Sequence, residues 1–212
     1  MVSDKERTYG GLTVATRRAE RRERFLNTAI EIFGTAGFRA SSVDAVCATA
    51  GLSRRQFYEE FSNREDLLVA AYDAIQQTAE AAVRKRIADL TSPMNADDVA
   101  SDLFAVYLES VAASPARARV SYVEIVGVSD WVEKRRRERR AKWVPLIEET
   151  IRQVHGDTCC LPGAPGMAAV AVIGAINLMA QEWSLATPRP PLSDVVDVLR
   201  AFVAGLANAD HA

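Results

Sequence analysis

Between Arg17 and Ala36 the apolar residues Phe25, Ala29, Ile32, Phe33 and Ala36 recur every three or four positions, with arginine and glutamate on the other face. That period places them on one stripe of an amphipathic helix. Gly37 follows where a chain commonly leaves a helix in the left-handed conformation. The pattern then shortens. Ser41-Ser42-Val43-Asp44, Ser53-Arg54-Arg55-Gln56 and Ser62-Asn63-Arg64-Glu65 each pair a serine with an acid or amide three residues on. Such a serine accepts from the third helical N–H while the later side chain reaches back to the cap. Asp44 is the shorter reach, which makes the first box the weakest. Two short helices are predicted, about 42–50 and 54–60, with a third starting near Asn63. Gly51, in the joint Ala50-Gly51-Leu52-Ser53, can take the positive φ that such a turn needs. Two short helices on a glycine-containing turn make a helix-turn-helix unit.

Beyond Arg64 a long helix is expected to about Leu90, ending at Thr91-Ser92-Pro93. Further helical runs are expected over about 96–113, 116–129, 131–154, 165–186 and 193–208. Ser114-Pro115, Ser129-Asp130, the loop 156–163 and Pro188-Arg189-Pro190-Pro191 separate them. The fold class is therefore all-α. Three parts are expected: a flexible N-terminal arm over 1–16, a helix-turn-helix domain over 17–63, and a larger helical bundle over 64–212.

Composition adds limits. With 212 residues, 49% of them apolar, there is ample material for a core. The net charge of −2 gives the whole chain no pull toward polyanions, so any nucleic-acid binding must be local. The apolar stretch Ala164–Met179 is short for a membrane span, is interrupted by glycine and asparagine, and is followed by Gln181 and Glu182, so a buried helix is expected. The segment MVSDKERTYGG has no apolar signal core, and a cytoplasmic protein is expected. Three cysteines make no disulfide framework; Cys47 sits at a small apolar position, and Cys159-Cys160 lack ligand spacing. His155 and His211 have no catalytic partner at any motif spacing. No catalytic residue, metal site or cofactor is expected.

The helix opening with Arg54, Arg55 and Gln56 has the chemistry of a reading head. Arginine forms a bidentate pair with guanine, and glutamine one with adenine, when a first helical turn sits in the major groove. Ser42 and Tyr58 offer hydroxyls to phosphate oxygens, and Arg64 adds a charge at the next helix start. Phe57 and Phe61, four apart, are expected to lock this helix to the first through Phe33 and Val46. From Arg17 to Arg64 nine arginines face six carboxylates, a net of +3. Two readings stay open for Gln56, base contact or capping partner of Ser53. Two also stay open for Arg17, Arg18, Arg21 and Arg22, a DNA-touching arm or a plain exposed face.

The run AIEIFGTAGFRASSVDAVCATAGLSRRQFYEEFSNREDLL, within Arg17–Leu68, resembles the N-terminal domain of TetR-family regulators. Its Phe-Gly-x-x-Gly-Phe ending, Val-x-x-Val-Cys-x-x-Ala-Gly-Leu-Ser core and Phe-Tyr-x-x-Phe-x-x-Arg-Glu-x-Leu tail carry the match, over about a quarter of the chain. The resemblance implies Ser42, Tyr58 and Arg64 as phosphate contacts and Arg54, Arg55 and Gln56 as base or groove contacts. It also implies a dimer, double-stranded operator DNA as partner, repression rather than activation, and a small-molecule effector that changes the spacing of the two recognition helices. There are departures. Glu60 stands where the family often has histidine, and with Glu59 it puts two carboxylates near the expected phosphate path. Arg64 replaces the usual lysine and keeps its charge.

By the same resemblance, helices from about 64 to 154 form an effector bundle and the last two form the dimer interface. The sequence agrees in part. Residues 165–186 carry small residues at Ala168, Ala171, Gly174 and Ala175, and Val195, Val196, Leu199, Phe202, Val203 and Leu206 form a broad stripe. Candidate walls of an effector pocket are Phe104, Tyr107, Tyr122, Glu124, Trp131 and Asn177, mostly apolar with a few polar groups, suiting a hydrophobic or amphipathic molecule. The run Lys134–Arg140, with glutamates interspersed, is expected to be a solvated face.

Overall fold

A computed structural model describes residues 14–90, 95–155, 163–164 and 166–207. The bulk of the expected arm, Cys159, Cys160 and His211 lie outside them. The described residues form helices and no strand. In chain order they are α1 (Val14–Thr35), α2 (Val43–Ala50), α3 (Arg54–Glu60), α4 (Arg64–Ala88), α5 (Ala96–Val111), α6 (Pro115–Arg119), a π-helical turn (Val120–Glu124), α7 (Asp130–Ala141), α8 (Trp143–His155), α9 (Met167–Leu185) and α10 (Leu192–Ala207).

The helix starts follow capping chemistry, with two shifts of one residue. Ser53 caps α3 in a complete capping box, its side chain accepting from Gln56 N while Gln56 reaches back to the Ser53 N–H. The cap of α2 is Ser42, not Ser41, and it accepts from Ala45 N. The cap of α4 is Asn63, not Ser62, and it accepts from Asp66 N. Ser41 instead turns inward and donates to the Gly37 carbonyl at 2.6 Å. Gly51 ends α2 with φ +62 and returns its N–H to the last turn, the geometry expected for the joint.

Phe25, not Phe33, receives the recognition helix. Its ring meets Phe57 and Phe61 edge-on at 5.6 and 5.9 Å, and all three side chains are buried. Phe33 lies two turns further on and packs against Phe38 at 5.3 Å.

Two of the long predicted runs divide. The expected helix 131–154 breaks at Lys142, because Pro145 has no N–H and its ring clashes with the carbonyl four residues back, at Ala141. The expected helix 116–129 ends early, its second half being the π-turn, with Gly127 at φ +67 closing it. A π-turn shifts the helical phase. It here lets Tyr122 point into the bundle while Glu124 faces the first domain.

Helices α5, α8, α9 and α10 pack with α4 into the larger bundle. α6 crosses α1 so closely that a Cβ on Gly34 would stand 2.4 Å from the Ala116 Cα. Only glycine permits that approach. α9 is long and apolar enough to cross a membrane by composition, but its exposed residues form a single stripe with the rest packed inward. Val172, Ile176 and Ala180 are buried while Met167, Val170 and Leu178 are exposed.

Candidate nucleic-acid interface and internal cavity

Arg54, Arg55 and Tyr58 project from the outer face of α3, because Phe57 and Phe61 take the inner one. Arg54 is held by Asp44 of α2 at 2.8 and 3.0 Å, and it also lies over the Tyr58 ring. Its hydrogen bond to Tyr58 and the charge of Asp44 raise its already high pKa. Arg55 reaches Glu59 at 3.3 Å, with its side chain 90% exposed. Exposed ion pairs of this kind contribute little, whereas a good bidentate contact to a base discriminates more strongly. Both arginines can therefore exchange their carboxylates for a guanine edge. Gln56 takes the capping role, its Oε1 accepting from Ser53 N at 2.9 Å. Only its amide N–H groups remain for a base. Ser42 is exposed and its cap uses only the oxygen's lone pair, leaving the hydroxyl proton to donate.

Arg64 turns one of its terminal nitrogens back onto the preceding loop. Its guanidinium stacks on Phe38 at 4.9 Å and donates to the carbonyls of Phe38 and Ser41. It braces the loop that delivers the Ser42 cap. Apart from Arg17, the α1 arginines make contacts across the domain rather than forming a plain exposed face. Arg18 and Arg21 bind Glu60 at 3.1 and 2.9 Å. Arg22 covers the Phe61 ring, and Arg24 donates to the Ala50 carbonyl at the end of α2.

Glu60 is thus no repulsive surface charge. Its side chain is 2% exposed. Burial alone would raise its pKa, but the hydrogen bonds from Arg21 and Arg18 outweigh it and hold the carboxyl below its ordinary 4.5. The stabilisation is present above that ordinary value and is lost as pH falls through the lowered one. Glu60→Gln is therefore expected to melt below the wild type at pH 7, with the gap closing as pH falls through the lowered pKa of the native carboxyl. Thermal melts of both proteins between pH 3 and 7 check this; a gap independent of pH would contradict the ionic role.

The larger bundle encloses a cavity of about 300 Å³. Of the expected wall residues, Phe104, Tyr107 and Asn177 line it. Tyr122 stands behind the wall, donating to the Tyr107 hydroxyl at 3.5 Å, and Tyr107 in turn donates to Gln76 at 3.4 Å. Burial pushes the pKa of both tyrosines up, keeping them neutral donors. Glu124 and Trp131 are not wall residues. Trp131 is 44% exposed on the far side of α7. Asn177 donates to the Ile173 carbonyl one turn back at 2.7 Å.

Residues outside the expected set complete the wall: Tyr72, Gln76, Trp143 and Arg140 among them. Trp143 meets Tyr107 edge-on at 5.1 Å. The basic run of α7 is only half solvated. Arg139 is 5% exposed and paired with Glu80, Arg136 is paired with Glu133, and Arg140 borders the cavity. A signal was present: Val132, Arg136, Arg139 and Trp143 keep helical phase, with apolar residues at both ends of the stripe.

Glu124 joins the two parts of the molecule. Its carboxylate accepts from Phe38 N at 2.7 Å and from Arg119 at 2.8 Å. The cavity wall (Tyr107), the π-turn (Tyr122, Glu124), the Phe38 loop and the Arg64 brace are therefore in continuous contact up to the cap of α2.

Residues 25–71 match the family model of bacterial regulatory proteins, tetR family. An uncharacterized HTH-type transcriptional regulator of Mycobacterium tuberculosis is 24% identical over 189 residues, covering 86% of this chain and 75% of that protein. The fold is that of the fatty acid degradation regulator FadR from Bacillus halodurans, with a TM-score of 0.75 and 15% identity over 87% of this chain and 95% of that one. FadR from Bacillus subtilis in complex with stearoyl-CoA superposes with a TM-score of 0.70 and 16% identity, over 87% of this chain and 97% of that one. The N-terminal domain, whose recognition helix, capped turn and phenylalanine core are described above, is thus similar to the DNA-binding domain of the tetR family of regulators, and the chain as a whole shares the fold of such regulators.

Proposed function

We propose that the protein is a homodimeric repressor, released from a palindromic operator when a small hydrophobic or amphipathic molecule occupies the cavity. The observation that carries this reading is the unbroken chain of contacts from Tyr107 on the cavity wall, through Tyr122 and Glu124, to Phe38 beside the cap of α2. In this division residues up to about 63 read DNA and residues from about 64 onward sense the effector and dimerise. Arg54 and Arg55 read bases, Gln56 contributes only its amide N–H groups, Ser42 and Tyr58 bind phosphates, and Arg64 positions Ser42.

Dimerisation is supported by the apolar stripe on the last two helices. Val170, Leu178 and Leu185 of α9 and Val198 and Phe202 of α10 are exposed in the protomer. Ala171 and Gly174 lie on the same exposed face, where a partner helix can come close. Ala168 is buried within the protomer and Ala175 half-buried. A dimer carries two recognition helices, and a two-fold partner reads a two-fold site. An effector acts only through a difference in affinity between the operator-competent dimer and a form with other helix spacing.

Arg55→Ala is expected to reduce specific operator affinity by about 5–150-fold, the equivalent of a 1–3 kcal/mol base contact, while leaving affinity for bulk DNA nearly unchanged. Competition binding with calf thymus DNA measures both, and an unchanged ratio would remove Arg55 from the reading set. Glu124→Ala is expected to leave effector binding intact while reducing the effector's influence on operator affinity from the about 5–150-fold typical of such coupling toward none. Operator titrations at saturating and zero effector compare the two proteins; full coupling in the variant would place the relay elsewhere. Transcription from a promoter overlapped by the selected operator should fall on adding the protein, and a rise would make it an activator.

A further inference from the structure

Most of the hydrogen-bonding side chains of the cavity wall gather at one end, with Asn95, Thr150 and Asn177 the exceptions. On α4, Tyr72 and Gln76 lie toward the DNA-reading domain and Val83 lies two turns further away. The Tyr107–Gln76 hydrogen bond places the end of α5 beside that polar region, with Leu103, Ala100 and Val99 receding from it. The edge-on contact between Trp143 and Tyr107 puts the start of α8 there too, and Ile147, Ile151 and Val154 recede in turn. At 1.5 Å per residue, Gln76 to Val83 is about 10 Å and Tyr107 to Val99 about 12 Å. The lining therefore extends from a polar end at Tyr107 along a body that is mostly apolar, where the Thr150 hydroxyl is turned back to the Leu146 carbonyl and Asn95 lies at the far end.

Arg140 stands at the polar end, one turn of chain before Trp143. It makes no hydrogen bond and no ion pair among the described residues. The carboxylates that could have served it are engaged: Glu133 holds Arg136 and the Gly127 N–H, and Glu80 holds Arg84 and Arg139. Burial, and then the neighbouring charge of Arg136, lower the pKa of Arg140. A half-buried guanidinium against an apolar wall, whose nearby carboxylate Glu133 is already shared with Arg136, gains when a further anion arrives.

We propose that the effector is an amphipathic acid, with an anionic head on Arg140 and the hydroxyl end of the cavity, and an apolar tail of about 10–12 Å lying along Val83, Val99, Ile151 and Val154. This rests on the effector reading above and gives it a chemical class and an orientation. The head lies at the end nearest Tyr107 and Tyr122, where its arrival acts on the relay to Phe38.

Calorimetric titration of the full chain, without DNA, tests it with four probes of one tail: decanoate, decyl phosphate, decanol and decyltrimethylammonium. Decanoate or decyl phosphate is expected to bind at least about tenfold more tightly than decanol and the cation, as a charge-assisted pair requires. Which of the two binds more tightly distinguishes a carboxylate head from a phosphate one. Arg140→Met is expected to bring both anions down to the affinity of decanol, which itself stays unchanged, and Arg140→Lys to restore part of the difference. Equal affinity of the wild type for all four probes, no binding of either anion, or an undiminished preference for anions in Arg140→Met would overturn the proposal. The wild-type comparison decides without any variant. Arg140-dependent binding of an anion that leaves operator affinity unaltered would uphold the head-group site while refuting the effector reading.

Discussion

Phe57→Ala is expected to lower the melting temperature by roughly 6–20 °C and to abolish operator binding. Truncating a buried phenylalanine costs about 3–5 kcal/mol, and in a chain of this length each kcal/mol shifts the midpoint by about 2–4 °C. Phe57 has no exposed surface, and it touches Phe25 of α1 and Phe61 at the end of α3. Three aromatic side chains hold the recognition helix, which is only seven residues long and too short to persist alone. The loss should be confined to the first domain. Decanoate titration of the cavity should survive in Phe57→Ala below its melting point, because Phe57 does not line the cavity. Differential scanning calorimetry with parallel operator titration measures both; a variant that melts normally and still binds the operator would show that α3 is held by something else.

Leu178→Glu is expected to convert the protein to a monomer of 23.2 kDa and to weaken operator binding by about 10²–10⁴-fold. The magnitude follows from losing the second reading head, whose binding is intramolecular only while the two copies are joined. Leu178 is 60% exposed in the protomer, so the substitution leaves the protomer's own core intact and acts where a partner copy would bury it. An uncompensated carboxylate in an apolar interface is strongly unfavourable. Sedimentation equilibrium reads the mass and gel shift the affinity. A dimeric Leu178→Glu that binds its operator normally would move the interface off this stripe.

These outcomes depend on features that differ in how plainly the sequence declares them. The two short helices, the left-handed Gly51 and the Ser53–Gln56 box were legible because each rests on contacts within four residues. The caps of α2 and α4 fell one residue later because Ser41-Ser42 and Ser62-Asn63 each offer two competent oxygens in a row. The choice between them is made by Arg64 bracing the Ser41 carbonyl and by Phe61 ending α3, and neither is a local property. Phe25 and Phe33 share a helical face, so periodicity could not say which would meet α3.

Charge was the least legible property. Glu60 looks like a surface acid, yet it is the anchor for Arg18 and Arg21, 42 and 39 residues away. Glu124 looks like a polar group in a pocket wall, yet the π-turn rotates it out of the cavity onto the Phe38 N–H. A straight helix would have kept it in phase with the wall. Arg140 sits in a run of cations that reads as solvated, and only the break before Trp143, forced by Pro145, sets the angle at which it meets the cavity. The cavity itself is assembled from α4, α5, α8, α9 and α10; Tyr107 and Asn177 were legible as wall residues because they put polar groups on otherwise apolar faces, and Phe104 because it shares the helical face of Tyr107.

The central claim is that two copies of α3, held by the α9–α10 stripe, read one DNA site with the arginines at their tips. Selection of bound duplexes from a random pool by the purified full chain tests it most directly. The account predicts enrichment of an inverted repeat whose half-sites are centred about one helical turn, roughly 34–36 Å, or a multiple of it, apart, each with a G·C pair whose preference relaxes in Arg55→Ala. Recovery of unrelated sequences bound with equal affinity, or of a single unrepeated half-site, would contradict it.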